Sequence, residues 1–333
     1  MASHVDAAVF IYTEDSQGLV DQVRDNPYDC LVTPVEFEAF IRDPKATLGD
    51  ARHVVVAATV AEVKTVGALA REHGFSLGII PLPAQKEMPR SYNIPTNTAD
   101  AIDLALRDDA PAIDIILCNG QIMMYKATLG RLPLLDRPVD MNRWNMFWHG
   151  LKRFVGLRLL TFNISLPNRQ KISTAACGCM ILQQHKGNQA TRSFDQDSSL
   201  ADGMVSMVVS APSSIVEYIR FLIQSTSLSR QQRSVPSTIG YIRCRSIDIE
   251  SDTELEVTID DGATTTTPVH CESIQGALRV NIGDELRAEI SKAQTIKEKI
   301  SIQNLPKGKE ELKKATKKAI PFFAYASEDR FRD

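Results

Sequence analysis

Four stretches of this chain hold side chains whose type and spacing could do chemistry. The first is the loop Pro83-Ala84-Gln85-Lys86-Glu87-Met88-Pro89-Arg90, which follows the apolar run Leu77-Gly78-Ile79-Ile80-Pro81-Leu82. Lys86 could attract a phosphate. The plainer reading, which we prefer, is a solvated loop in which Lys86 and Glu87 make an incidental pair of little energetic weight. The second is Cys177-Gly178-Cys179, inside an apolar run over 175–182. Strand alternation would put both thiols on one side. Metal or redox use would call for a second cluster, so both are read as buried strand residues. The third is Arg143-Trp144-Asn145-Met146-Phe147-Trp148-His149-Gly150-Leu151-Lys152-Arg153-Phe154, which holds both tryptophans and a basic flank. Trp144 and Trp148 with Lys152 and Arg153 suit a membrane interface. A core-covering helix that buries Trp144, Phe147, Trp148 and Leu151 is preferred, with His149 at its surface.

The fourth stretch is the tail. Leu286, Ile290, Ala293, Ile296 and Ile300 recur at helical spacing. Lys307, Lys309, Lys313, Lys314, Lys317 and Lys318 follow, and then Ile320-Pro321-Phe322-Phe323-Ala324-Tyr325. A basic helix ending in Phe322, Phe323 and Tyr325 could dock on anionic lipid or in a partner groove. It could equally pack back on its own domain, and both readings stay open.

These segments need a frame, and the hydrophobic pattern supplies one. Ala7 to Tyr12 reads as a buried strand, followed by a helix through Leu19, Val20 and Val23. Further strands are read over 28–34, 54–58 and 77–82, with a short helix over 35–41. Val60, Val63, Val66 and Leu69 recur at helical spacing until Gly74 stops the helix. Thr98 is read as the N-cap of a helix to about Leu106. Strands alternating with helices argue a parallel sheet with right-handed crossovers.

After Ile113 to Cys118, Asn119-Gly120 predicts a hairpin turn. The chain then favours strands, over 121–128, 157–166, 172–182, 203–210, 240–249, 255–259 and 277–282, which argues an antiparallel β-sandwich. Helices are expected over 141–155 and from Ser214, where Glu217 completes a capping box. The expected divisions are 1–118, an α/β nucleotide-binding-like domain; 119–286, a β-sandwich; and 287–333, a charged helical extension.

Composition narrows the function classes. With 333 residues, 43% of them hydrophobic, the chain can bury two ordinary cores. A net charge of -3 gives no global attraction for nucleic acid, so no nucleic-acid partner is expected. No apolar run is long enough to span a bilayer, and the first residues lack a basic region followed by an apolar core. Six scattered cysteines do not make a disulfide framework. A cytoplasmic location is therefore expected, with peripheral membrane attachment open.

The frame resembles the diacylglycerol kinase family of lipid kinases, whose fold is shared with NAD kinases. The resemblance rests on Leu77-Gly78-Ile79-Ile80-Pro81-Leu82, on Ile94-Pro95 before a helix, and on Ala112-Ile113-Asp114-Ile115-Ile116-Leu117-Cys118-Asn119-Gly120. Asp202-Gly203-Met204-Val205-Ser206-Met207-Val208-Val209 and Gly276-Ala277-Leu278-Arg279-Val280 extend it, so that it covers about 7–284. It implies an α/β domain followed by a β-sandwich.

The resemblance also places three functional motifs, and this sequence departs from each. Phosphoryl transfer is mostly positioning and charge neutralisation. A family member has Gly-Gly-Asp-Gly-Thr after the third strand; here Val55-Val56-Ala57-Ala58-Thr59 stands there, and only Thr59 matches. The family's aspartate is Ala57. β-Branched valines do not readily take the positive φ that glycines allow. The second loop, Gly-Thr-Gly-Asn-Asp-Phe-Ala-Arg in the family, is Pro83 to Arg90, where only Arg90 matches and Glu87 takes the aspartate's place. Proline removes an N–H donor. Thr59, Gln85, Lys86 and Arg90 are thus the vestiges of a nucleotide site. The family's catalytic glutamate falls at Ala263, which cannot accept a proton. Asp260 or Asp261 could substitute, although two acids beside Gly262 are better read as a hairpin turn between Ile259 and Thr264.

The sequence therefore predicts a lipid-kinase fold without catalysis. It would act as a binding or accessory subunit beside a membrane protein complex or a lipid surface, with no cofactor expected. The alternative is an active, divergent lipid kinase that uses ATP and magnesium.

Overall fold

The computed structural model describes residues 3–132, 148, 159–183, 199–210, 239–260 and 262–292. Residues 3–290 lie in one compact unit. The first half runs β1 (Ala7–Tyr12), α1 (Val20–Arg24), β2 (Leu31–Glu36), α2 (Phe37–Arg42), α3 (Pro44–Leu48), β3 (His53–Ala57), α4 (Val60–His73), β4 (Ser76–Ile79), α5 (Glu87–Ser91) and α6 (Thr98–Ala105). Strands β2, β1, β3 and β4 lie side by side and parallel. All five residues of β3 are buried, as a strand covered on both faces requires. Helix α4 covers this sheet with Val63, Val66, Gly67 and Ala70, and Gly74 ends it at φ 78, a left-handed conformation that glycine adopts without penalty.

The second half is made of strands: β5 (Ala112–Cys118), β6 (Gln121–Met123), β7 (Lys126–Gly130), β8 (Leu160–Ser165), β9 (Lys171–Ala176), β10 (Gly178–Leu182), β11 (Val205–Ser210), β12 (Ile239–Cys244), β13 (Ser246–Ser251), β14 (Glu256–Ile259), β15 (Ala263–Thr266) and β16 (Val269–Val280). They divide between two sheets. One has the order β12-β11-β10-β7-β14-β15 and is antiparallel throughout. The other continues the parallel sheet: β16 pairs parallel with β4 at its far end, antiparallel with β13 near its start, and antiparallel with β5 from Cys271 to Arg279. Ile116, Phe162, Ile247 and Cys271 from this sheet and Leu129, Ile181, Met207 and Val257 from the other form the sandwich core. A separate core lies around the parallel strands. The fold class is thus the expected one, a parallel α/β layer and a β-sandwich, joined through β16.

Several elements differ from the sequence reading, each for a local reason. The second strand starts at Leu31 because Asn26 holds a turn: its amide donates to Val23 O and Cys30 O, and its Oδ1 accepts from Tyr28 N. Helix α6 is capped by Asn97, whose Oδ1 accepts from Ala99 N, so Thr98 is its first residue. The apolar run over 172–182 is two strands in different sheets. It breaks at Cys177, where a Cβ on Gly178 would stand 2.6 Å from Leu129 O. Cys177 and Cys179 therefore do not share one strand; both are buried, and burial pushes both thiols upward. Runs 121–128 and 240–249 likewise change sheet, and the strand expected over 277–282 begins at Val269. Asn119-Gly120 is the expected turn, with φ 48 and 80, between β5 and β6.

The helices expected over 141–155 and from Ser214, and the extension beyond 292, fall outside the described residues, as do Asp261, Trp144, Lys152, Arg153, Lys313, Lys314, Lys317, Lys318, Phe322, Phe323 and Tyr325. Trp148 is described and is 54% exposed, which overturns the reading that buries it on the sandwich. An indole with its polar N–H edge stands readily at a surface. Among the described residues no helix is long and apolar enough to cross a membrane.

Candidate functional site: a cleft between α4, α5 and the β14–β15 hairpin

A cleft of about 1030 Å³ opens where the parallel strands end. Thr59 and Lys64 of the α4 side, Gln85, Lys86 and Glu87 of the loop after β4, and Asp260 and Ala263 of the β14–β15 hairpin all line it. The three segments that the sequence marked as degenerate thus share one wall-to-wall space. Ala57 does not reach it, being fully buried in β3, and Arg90 is exposed outside it.

The first segment closes on itself. Thr59 caps α4, and Glu62 reaches back: its Oε2 accepts from Thr59 N and from Thr59 Oγ1, both at 2.7 Å. A helix N-terminus is a natural anion site. Here a carboxylate of the same helix already occupies it.

The second segment is clamped to the first. Gln85 Oε1 accepts from Leu82 N at 3.2 Å, and Gln85 Nε2 donates to Ala58 O at 2.6 Å. One carboxamide therefore bridges the loop after β4 and the loop after β3. Glu87, at the start of α5, sits 2.7 Å from Lys126 Nζ on β7. Lys126 has only 9% side-chain exposure, so this pair is not the loose surface pair expected of Glu87.

The third segment carries a buried acid. Asp260 has φ 52 in the turn between β14 and β15, where Gly262 N donates to Ile259 O. The hairpin reading of Asp260 holds. Its side chain, however, turns inward and is fully shielded. Oδ2 accepts from Met124 N at 2.7 Å, and Oδ1 accepts from Tyr125 N at 2.9 Å and Lys126 N at 3.0 Å. Lys64 Nζ lies 3.4 Å from Oδ2. A carboxylate offers about four lone-pair positions; the three amides take three of them, and Lys64 adds an ion pair without a hydrogen bond. Burial pushes the Asp260 carboxyl above its usual range, while Lys64 and the three amides pull the other way. Asp260 is thus a structural acceptor that fixes the crossing from β6 to β7, and Ala263 beside it offers no polar atom.

A second polar cluster lies next to the cleft. Tyr92 OH donates to Met124 O at 2.7 Å and lies 3.1 Å from Gln183 Oε1, while Gln183 Nε2 donates to Asp114 O. Asp114 accepts from Gly203 N at 2.5 Å and Gly276 N at 2.8 Å. Sequence reasoning missed Lys64, Lys126, Asp114 and Gln183. The available signal was a charge inside an apolar run, as in Ile113-Asp114-Ile115 and Tyr125-Lys126-Ala127. Among the described residues, no group of three or more His, Cys, Asp or Glu side chains could hold a metal ion.

No family model matches the chain. In sequence it is similar to a diacylglycerol kinase of Staphylococcus saprophyticus subsp. saprophyticus, 20% identical over 189 residues, or 56% of this chain and 61% of that protein. The match thus spans less than two thirds of the relative. In structure it is similar to a diacylglycerol kinase from Bacillus anthracis str. Sterne, with TM-score 0.61 and 15% identity over 86% of this chain and 100% of that one. A proposed diacylglycerol kinase from the same organism gives TM-score 0.62 and 17% identity over 84% and 98%. The fold is that of the diacylglycerol kinases, and the family resemblance drawn from the sequence is supported.

Proposed function

We propose that this chain, built on the diacylglycerol kinase fold, is a non-catalytic member of that group that works as a binding or accessory subunit beside a membrane protein complex or a lipid surface. The observation that carries the reading is Gln85. Its carboxamide spans from Leu82 N to Ala58 O and closes the loops between which a nucleotide phosphate would have to settle. Three further observations support it. Glu62 holds the N-terminus of α4, Asp260 accepts from three backbone amides, and Ala263 stands where the family pattern has its general base. No cofactor is required by this reading.

The competing reading is an active lipid kinase that takes ATP and magnesium, and it draws on the cleft of about 1030 Å³ that remains. Calorimetric titration with ATP and magnesium separates the two. No measurable heat of binding up to millimolar nucleotide is expected. Micromolar affinity, accompanied by transfer of phosphate to a diacylglycerol in vesicles, would overturn the proposal.

A further inference from the structure

Cys118 and Cys271 face each other across two neighbouring strands. They are direct register partners in the antiparallel β5–β16 pair, separated by 153 residues of chain, with sulfurs 2.8 Å apart. Asn119 N donates to His270 O, so the next pair outward is the hydrogen-bonded one. Cys118 and Cys271 are therefore a non-hydrogen-bonded pair, the position where opposed side chains approach most closely, with Cα atoms about 4.5 Å apart. A disulfide accepts Cα separations from about 4.4 Å upward. Both residues are fully buried in the sandwich core, and Met123 Sδ lies 3.9 Å from Cys118 Sγ.

We propose that Cys118 and Cys271 are a cross-strand dithiol that closes to a disulfide when the chain folds in contact with a low-molecular-weight disulfide. The exchange balances in two steps. The thiolate of Cys118 attacks one sulfur of the small disulfide, forming a mixed disulfide and expelling one small thiolate. The thiolate of Cys271 then attacks the Cys118 sulfur, and the second small thiolate leaves. The two protons lost by the cysteines end on the small thiols, so that one disulfide is reduced as the protein dithiol is oxidised.

Burial sets the timing. Both sulfurs are shielded from solvent and from small thiols, so the pair is inert once the core has closed. The bond forms while the strands are still accessible and is afterwards shielded from reductant. In a reducing compartment the same pair stays a dithiol. The bond would also pin the base of the Asn119-Gly120 turn, and Gly120, Gln121 and Ile122 line the cleft.

The full chain should be refolded from denaturant in a mixture of reduced and oxidised glutathione, with free thiols then blocked and the protein digested without reductant. A peptide pair linking Cys118 to Cys271, about 2 Da lighter than the sum of its reduced partners, is expected. The bond should resist dithiothreitol in the folded protein and yield to it in denaturant, and the oxidised protein should melt several degrees higher than the reduced one. Cys118→Ser and Cys271→Ser should each fold under reducing conditions and abolish the link without a new one forming. Free thiols at both positions after refolding, a link that falls mainly between other cysteines, or a bond reduced equally fast in the native state would overturn the proposal.

Discussion

Lys64 on α4 and Asp260 in the β14–β15 turn stand 3.4 Å apart at the floor of the cleft, the lysine 11% exposed and the aspartate fully shielded. The pair ties the parallel layer to the sandwich, and the aspartate also holds three backbone amides of the β6–β7 crossing. Removing one member of a buried ion pair typically costs about 3–5 kcal/mol. Asp260→Ala, which also orphans the three N–H groups, should lose about that much in urea unfolding. Lys64→Met should lose less, since the amides still satisfy the carboxylate, and the double variant should fall short of the sum of the two. A loss below about 1 kcal/mol for Asp260→Ala would refute the structural role.

Gln85 bridges two loops with two hydrogen bonds in a half-buried setting. Gln85→Ala should destabilise the protein by about 1–2 kcal/mol, since a net hydrogen bond contributes about 1 kcal/mol. Gln85→Glu keeps the acceptor for Leu82 N but turns the donor facing Ala58 O into a second acceptor, and it should be the more harmful change. Chemical denaturation of the three proteins side by side checks the order.

His53 gives the stability a pH signature. Its Nε2 lies 2.6 Å from Ala105 O and its Nδ1 2.7 Å from Ser76 Oγ. A carbonyl only accepts, so Nε2 carries a proton. Burial pushes its pKa below the ordinary value, with the Ala105 bond pulling the other way. For a depressed folded-state pKa the stabilisation is present above the unfolded value of about 6.5 and is lost as pH falls through the folded one. The melting temperature should hold between pH 7 and 8 and drop toward pH 5. His53→Gln should melt lower at pH 7 but with a shallower acid slope; identical slopes for both proteins would sink this assignment.

The accessory role predicts a separable tail. Residues 3–290 lie in one compact unit. Deleting residues 307–333, which carry the lysine run and Phe322, Phe323 and Tyr325, should leave the melting temperature of that unit nearly unchanged and abolish association with a protein partner. Binding to anionic vesicles that weakens with salt would instead assign the tail to lipid, because exposed lysine contacts are screened. Association that survives the deletion would pass the role to the segment around Trp148, whose ring is exposed.

Local patterns determined much of this protein from sequence alone. The alternating strands and helices of the first half, the stop at Gly74 and the Asn119-Gly120 turn are all set by residues within a few positions of one another. So were the residue types at Ala57, Pro83, Gln85 and Ala263, which depart from the diacylglycerol kinase pattern. What only the tertiary structure decided is non-local. Runs 121–128, 172–182 and 240–249 read as single strands, because hydrophobic alternation carries no mark of which sheet a residue joins. The first two are divided between two sheets by a contact from far along the chain: Asp260 on the amides at 124–126, and Leu129 O against Gly178. The same holds for the candidate site. Asp260 looked like a turn residue or a spare base until three amides and Lys64 were found around it, and Lys64 carried no signal among the valines of α4. Burial and partner geometry, which decide whether a carboxylate is chemistry or scaffold, exist only once the chain has closed on itself.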